Sequence, residues 1–183
     1  MPVRYTRVAS PVGPWLLLSD GAALTGLYPE SHRAVPVEDD AWARDDAFFA
    51  GVVDQLRAYF AGHLTVFNVP LAPQGTAFQK QVWSALREIP LGATTTYGAL
   101  AAHVGKPSAA RAVGAANGKN PISLIVPCHR VIGGSGSLTG YAGGVELKAW
   151  LLEHEATMAR RTKGGLTPPA LCAVSRNSMQ LAF

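Results

Sequence analysis

A cysteine sits between a proline and a histidine in Pro127-Cys128-His129-Arg130-Val131. The attacking form of this side chain is the thiolate, and a neighbouring imidazole base together with a guanidinium cation favours it. Against this stands the reading of a lone cysteine as an inert, buried, small hydrophobe. Adjacent side chains on an extended segment diverge, so His129 is expected to reach the sulfur through a bend or a water rather than directly. Cys172 lies in a stretch with Gly164-Gly165 and Pro168-Pro169 and is given no role. Two cysteines cannot build a disulfide framework or a cysteine-rich zinc site, which leaves thiol chemistry.

The surroundings of Cys128 suit a pocket. Ile122 to Val126 is apolar and β-branched and reads as a strand that Pro127 stops. After Ile132 come Gly133-Gly134-Ser135-Gly136-Ser137 and Gly140-Tyr141-Ala142-Gly143-Gly144, loops whose missing side chains let backbone N–H groups face a ligand. Gly134, Ser135, Tyr141, Ala142 and Gly143, with Val131, are the expected pocket wall.

Upstream, Thr76 reads as the N-cap of a helix carrying Phe78, Val82, Leu86 and Ile89 on one face and ended by Pro90 and Gly92. Tyr97 to Val104 is a short helix, Gly105-Lys106-Pro107 a tight turn, and Ser108 the cap of a second helix reaching about Asn117. Two short helices about a glycine-containing turn form a helix-turn-helix signal. Ala109, Ala110, Ala112, Gly114, Ala115 and Ala116 leave the second helix nearly bare, so it could either pack in a bundle or approach DNA closely, and Arg111 in its middle favours DNA.

The first part of the chain reads as scaffold. Residues 3 to 28 form an antiparallel meander with turns at Ser10-Pro14 and Asp20-Gly21; residues 30 to 44 are loop; Phe48 to Phe60 has helical spacing up to Gly62; and Val66 to Leu71 is a last short strand before the boundary at Pro73-Gln74-Gly75. The expected division is a scaffold domain over 1–76, an acting domain over 77–157, and a flexible tail over 158–183.

Composition bounds the function. The chain has 183 residues, 48% hydrophobic and 15% charged, enough apolar surface for a packed core in one or two small domains. No apolar run near the start is long enough for a signal peptide or spanning helix, so an intracellular, soluble protein is expected. The formal charge of +4 is unevenly spread: residues 1–76 hold five basic and eight acidic residues, and 77–183 hold eleven basic and four acidic. No Asp or Glu occurs from Ile89 to Val145, where Lys106, Arg111, Lys119 and Arg130 fall. A one-signed surface suits a polyanion, because each phosphate contact releases counterions and a nearby carboxylate would repel the backbone.

Pro127-Cys128-His129-Arg130-Val131, preceded by Ala109-Ala110-Arg111-Ala112-Val113-Gly114 and Asn120-Pro121, and followed by Gly140-Tyr141 and Leu151-Leu152-Glu153-His154-Glu155, closely resembles the O6-alkylguanine-DNA alkyltransferases. The likeness is dense from Phe78 to Glu155 and weaker over 1–76. It implies an α+β fold, with a ribonuclease H-like antiparallel sheet and helix first and a mostly helical domain with helix-turn-helix and cysteine loop second. It implies direct-reversal DNA repair, in which an alkyl group leaves O6-alkylguanine, with O4-alkylthymine a second substrate to test, and stays irreversibly on Cys128. By position, His129 resembles the base acting through a water and Glu155 the group orienting it. Asn120 resembles the hinge asparagine, and Tyr97 the hydroxyl donating to N3 of the leaving guanine. Backbone groups of Cys128, Val131 and Ala142 resemble readers of the base edge, and Arg111 the finger replacing the flipped nucleotide. The implied DNA face also includes Gly98, Lys106, Ser108, Ala110 and Gly114. Double-stranded DNA carrying the lesion is the implied partner of a cytoplasmic monomer, with cooperative binding along DNA the alternative. No membrane, no cofactor and no metal is expected, since residues 1–76 hold no cysteine and only His32 and His63. Ser123 stands where some members have proline, and Ala142 where some have serine. A Cys-His-Glu thiol hydrolase and a lesion-binding module without transfer are the alternatives; the first leaves the basic stretch unexplained, and the second lacks the cysteine.

Overall fold

Two polar side chains fold the start of the chain back on itself. Ser10 Oγ accepts from Val12 N and Trp15 Nε1, and Asp20 Oδ1 accepts from the backbone of Ala22 and Ala23. Around these turns β1 (Arg4–Val8), β2 (Trp15–Ser19) and β3 (Leu24–Pro29) pair antiparallel, with Val8 opposite Trp15 and Leu17 opposite Leu27. The computed structural model describes residues 2–163. In it the stretch expected as loop over 30–44 contributes β4 (Ala43–Arg44), parallel to β1, and the sheet order is β3-β2-β1-β4. The pairing arises because Ala43 and Asp45 donate to the carbonyls of Val3 and Tyr5 along the free edge of β1.

Alternation along β2 gives the sheet two apolar faces. Trp15 and Leu17 join the main core with Leu27 and with Leu56 and Tyr59 of α1 (Ala50–Phe60), while Leu16, Leu18 and Tyr28 are covered by Val35 and Trp42 of the connecting segment. After Gly62, whose φ of 76° ends the helical course, residues 66–71 do not form the expected strand. Gln55 of α1 takes both backbone groups of Asn68 (2.7 and 3.0 Å), and one bridge between Leu71 and Leu24 is all the ladder that forms.

Thr76 caps α2 (Ala77–Leu86) in a reciprocal capping box with Gln79, as its sequence position predicts. The helix stops at Leu86, and turn-like bonds carry the chain over Arg87, Glu88 and Ile89, short of the end expected at Pro90. β5 (Thr95–Thr96) leads into α3 (Tyr97–His103), and α4 (Ala110–Gly118) follows. β6 (Val131–Ile132) pairs parallel with β5, and α5 (Val145–Lys163) closes the fold. α5 therefore continues six residues into the region expected as tail; residues 164–183, with Cys172, lie outside the described residues. The architecture is α+β.

The run 122–126 is not a strand. Val126 N donates to Ile122 O, Leu124 adopts φ 72°, and Asn120 gathers the carbonyls of Ile122 and Val126. Its apolar residues are buried because the turn docks on the edge of β3, where Leu27 N donates to Pro121 O and Ser123 N to Leu27 O. Burial rather than pairing accounts for the β-branched composition there.

Candidate active site and nucleic-acid interface

Helix α3 starts at Thr96, whose Oγ accepts from Ala99 N, and Gly105 turns the chain with φ 73°. Ser108, expected to cap the next helix, is exposed; Ala109 occupies the cap without a side-chain bond, and Lys106 O takes Ala109 N. Val113, Ala116 and Asn117 bury the inner face of α4, with Trp83 Nε1 of α2 donating to Ala116 O at 2.9 Å. Ala110 and Gly114 are half-buried, while Arg111, Ala112 and Ala115 face outward. Lys106, Lys119 and Gly98 are exposed on the same pair of helices and their turns.

Tyr97 packs its ring against Gly114, where an added Cβ would lie 3.6 Å away, and donates its hydroxyl to Thr139 O at 3.2 Å. It thus bridges α4 to the glycine loop beyond β6. In that loop Tyr141 and Gly143 are buried and Ala142 half-buried, whereas Gly134 and Ser135 form the exposed tip of a turn closed by Gly136 N on Gly133 O. The far end of the loop is tied to the sheet domain, with Ser31 Oγ donating to Gly143 O and Arg33 N to Ala142 O.

Cys128, His129 and Arg130 form a single 3₁₀ turn rather than an extended segment. Asn117 Nδ2 donates to Cys128 O, and Asn120 Nδ2 lies 3.1 Å from Sγ while its Oδ1 accepts Ile122 N. Asn120 therefore joins the end of α4 to the cysteine. Cys128 is buried, and desolvation pushes its thiol up to about 11 against the opposing effects of Asn120, backbone N–H groups and Lys148. The resting form is the thiol, so nucleophilic use of the sulfur would need a base to take its proton.

His129 has no exposed surface and directs Nε2 at Glu155 Oε1, 2.9 Å away. Burial lowers its basicity more than the Glu155 carboxylate restores it, so the ring is neutral with its proton on Nε2. Nδ1 is then a bare acceptor with no hydrogen-bond partner among the described residues, the state a base needs. Burial alone would favour the neutral carboxyl of Glu155, but hydrogen bonds from His129 and Arg130 outweigh it and hold the group well below the usual carboxylate range.

Arg130 departs from its expected place. Rather than a field at the sulfur or part of an outward basic face, it is buried against Glu155, with Nε on Oε2 at 2.8 Å, Nη2 on Oε1 at 2.9 Å, and Nη1 on Ile89 O. The bidentate geometry fixes the carboxylate plane.

Two participants were not among the expected site residues. Lys148 of α5 is fully buried and donates Nζ to Val131 O at 2.6 Å and Thr139 O at 2.9 Å, clamping β6 to the glycine loop. Its seven-residue spacing from Glu155 puts both on one helix face, a signal the sequence carries. Tyr59 of α1 donates its hydroxyl to Glu155 Oε1 at 2.9 Å; nothing local distinguishes it from the other core aromatics of that helix. Val131, expected to present backbone groups, already donates its N–H to Cys128 O and accepts Lys148, leaving one carbonyl lone pair for a ligand.

The arrangement is a buried thiol, a neutral imidazole anchored on a saturated carboxylate, and an outward bare helix with one arginine. No helix of the described residues is long and apolar enough to cross a membrane. Residues 77–157 match the family described as 6-O-methylguanine DNA methyltransferase, DNA binding domain, and residues 3–73 its ribonuclease-like domain. The chain is 50% identical over 154 residues to the methylated-DNA--protein-cysteine methyltransferase of Methanosarcina acetivorans, covering 84% of this chain and 98% of that one. It is 52% identical over 157 residues to the protein of the same name from Mycobacterium bovis, covering 86% and 94%. The crystal structure of Mycobacterium tuberculosis OGT in complex with DNA superposes with a TM-score of 0.80 at 51% identity, covering 85% of this chain and 94% of that one. The chain belongs to the 6-O-methylguanine DNA methyltransferase family.

Proposed function

We propose that this protein repairs O6-alkylguanine in double-stranded DNA by moving the alkyl group onto Cys128 once per molecule. The observation that carries the assignment is the pairing of a protonated, buried Cys128 with a neutral His129 whose Nδ1 is free and whose Nε2 is held by Glu155. A water between Nδ1 and the thiol passes the proton to the imidazole, which the carboxylate stabilises as imidazolium. The sulfur then bonds to the alkyl carbon, the carbon–O6 bond breaks, and its electron pair enters the guanine. The guanine gains a proton at N3 from the Tyr97 hydroxyl, and the proton held by His129 balances that transfer. A thioether has no route back to thiolate, so the protein is consumed.

Residues 77–157 perform the reaction and 1–76 serve as scaffold. Arg111 fills the stack after the nucleotide flips, a role suited to a planar cation. Lys106 and Lys119 meet phosphates as Gly98, Ala110 and Gly114 permit close approach, and Tyr141, Ala142 and Gly143 wall the base pocket. Because its substrate is chromosomal DNA, the protein acts in the cytoplasm, at the nucleoid when bound to DNA.

Intact mass spectrometry after incubation with an O6-methylguanine oligonucleotide tests the reading. The expected outcome is a gain of one CH2 localised to Cys128, no turnover beyond one equivalent, and lesion binding without mass gain in Cys128→Ser. Sustained turnover would instead mark a hydrolase, and unchanged mass a binding module.

A further inference from the structure

Among the described residues, three of the four hydrogen bonds received by the Glu155 carboxylate come from the cysteine turn: His129 Nε2 and Arg130 Nη2 on Oε1, and Arg130 Nε on Oε2. The fourth comes from the other half of the chain, where Tyr59 lies 96 positions away in sequence and reaches Oε1 at 2.9 Å. A carboxylate only accepts, so the phenol must donate. Its ring has 1% exposure and is wedged edge-on against Phe60 and His154 and tilted against Phe67, with centroids 5.3 to 5.4 Å apart. His154 Nε2 of α5 donates to Tyr59 O at 2.8 Å, so backbone as well as ring is fixed relative to Glu155. Burial first, and the adjacent negative charge second, hold this phenol far above its ordinary acidity range, so it stays a donor wherever the protein is folded.

Tyr59 and His129 share one oxygen. Each hydrogen bond to Oε1 spreads charge that would otherwise stabilise the imidazolium. We infer that Tyr59 is a positioning residue of the alkyl-transfer reaction, its hydroxyl holding Glu155 in place and moderating the carboxylate's pull on His129, so that the scaffold domain sets how readily the imidazole takes the thiol proton. The inference rests on the relay proposed above. The other charged or titratable groups around this site are Lys148 on α5, Arg130 and Cys128 in the cysteine turn, and Tyr141 in the glycine loop. Arg130 and Lys148 oppose the imidazolium, whereas Tyr59 acts only through Glu155.

The test is the single-turnover rate of methyl transfer from duplex O6-methylguanine to the full chain, followed across roughly pH 5 to 9. Tyr59→Phe keeps the ring and removes one donor. The carboxylate then holds the imidazolium more strongly, and the acidic limb of the rate profile moves to higher pH by about half a unit to one unit. Fluorotyrosine at position 59, a stronger donor, moves the limb the opposite way and supplies a second reading if the phenylalanine variant fails to fold. A folded Tyr59→Phe with an unmoved limb overturns the inference, whether its rate is unchanged or reduced at every pH, because a purely structural tyrosine predicts one of those results. His129→Gln and Glu155→Gln run alongside. If they remove or displace the limb while both Tyr59 changes leave it, only the role of Tyr59 fails. If neither alters it, the relay fails and the role of Tyr59 fails with it.

Discussion

At neutral pH Cys128 and His129 are both uncharged, because burial raises the thiol and lowers the imidazole. Under the proposed relay the thiolate is made when needed, and the sulfur otherwise rests as a poorly reactive thiol. The same burial couples stability to pH. An unfolded chain protonates this imidazole near 6.5, whereas the folded protein keeps it neutral to lower pH. The stabilisation is therefore complete above about 6.5 and drains as pH falls toward the folded value, because the unfolded state then binds the extra proton. His32, also lowered by burial, adds a contribution of the same sign. Glu155, held low in the fold, adds another that starts only below about its ordinary 4.5. The melting temperature should decline between about pH 7 and pH 5, and less steeply in His129→Gln. Equal slopes in melting curves of the two proteins would show that folding does not suppress protonation at His129.

Element geometry decides where those residues stand, and the glycine loop shows how tightly. Gly140 has φ 77°, and a Cβ there would lie 2.9 Å from the Tyr97 hydroxyl, while Gly136 has φ 83° with open space around it. Either glycine replaced by alanine accepts a left-handed conformation costing about 1 kcal/mol. Gly140→Ala must in addition displace Tyr97, so transfer should slow several-fold relative to Gly136→Ala at similar melting temperatures. Matching transfer rates would mean that the position of the Tyr97 hydroxyl does not govern the reaction. The cap at Thr76, the paired helices α3 and α4, and the Cys128, His129, Glu155 set were legible because each is encoded by local spacing or by a family pattern. The runs 66–71 and 122–126 misled because side chains took backbone groups that a strand would have paired, Gln55 at Asn68 and Asn120 at Ile122 and Val126; in 122–126 the apolar composition marks burial, whereas Val66 is exposed. Arg130 misled for another reason. Its sequence neighbour is the cysteine, but its partner Glu155 is 25 positions away, and only the packed helix α5 brings them together.

Across the whole molecule, the basic part of the chain, 77–183, carries Cys128, His129 and Glu155, and the acidic part, 1–76, braces them through hydrogen bonds. The sheet domain grips the glycine loop through Ser31 and Arg33, the cysteine segment through Leu27, and the relay carboxylate through Tyr59. None of these ties engages α4, whose outward face, with Arg111, Ala112 and Ala115, stays exposed. Arg111 projects from the middle of that helix, exposed and flanked by Ala110 and Ala112. If it takes the place of the extruded base, its removal makes the duplex pay the full unstacking cost of a few kcal/mol, and about 1.4 kcal/mol is a factor of ten in rate. Arg111→Ala should then slow repair of duplex DNA by about tenfold or more while leaving reaction with free O6-alkylguanine base within about threefold. If Lys106 and Lys119 meet phosphates as proposed, Lys106→Ala and Lys119→Ala should instead weaken DNA binding for every sequence and flatten its salt dependence. Both substrates must be run on one thiol-titrated preparation, because a folding defect depresses the two rates together. Equal losses on free base and duplex would place Arg111 in support of the pocket and remove it from the stack.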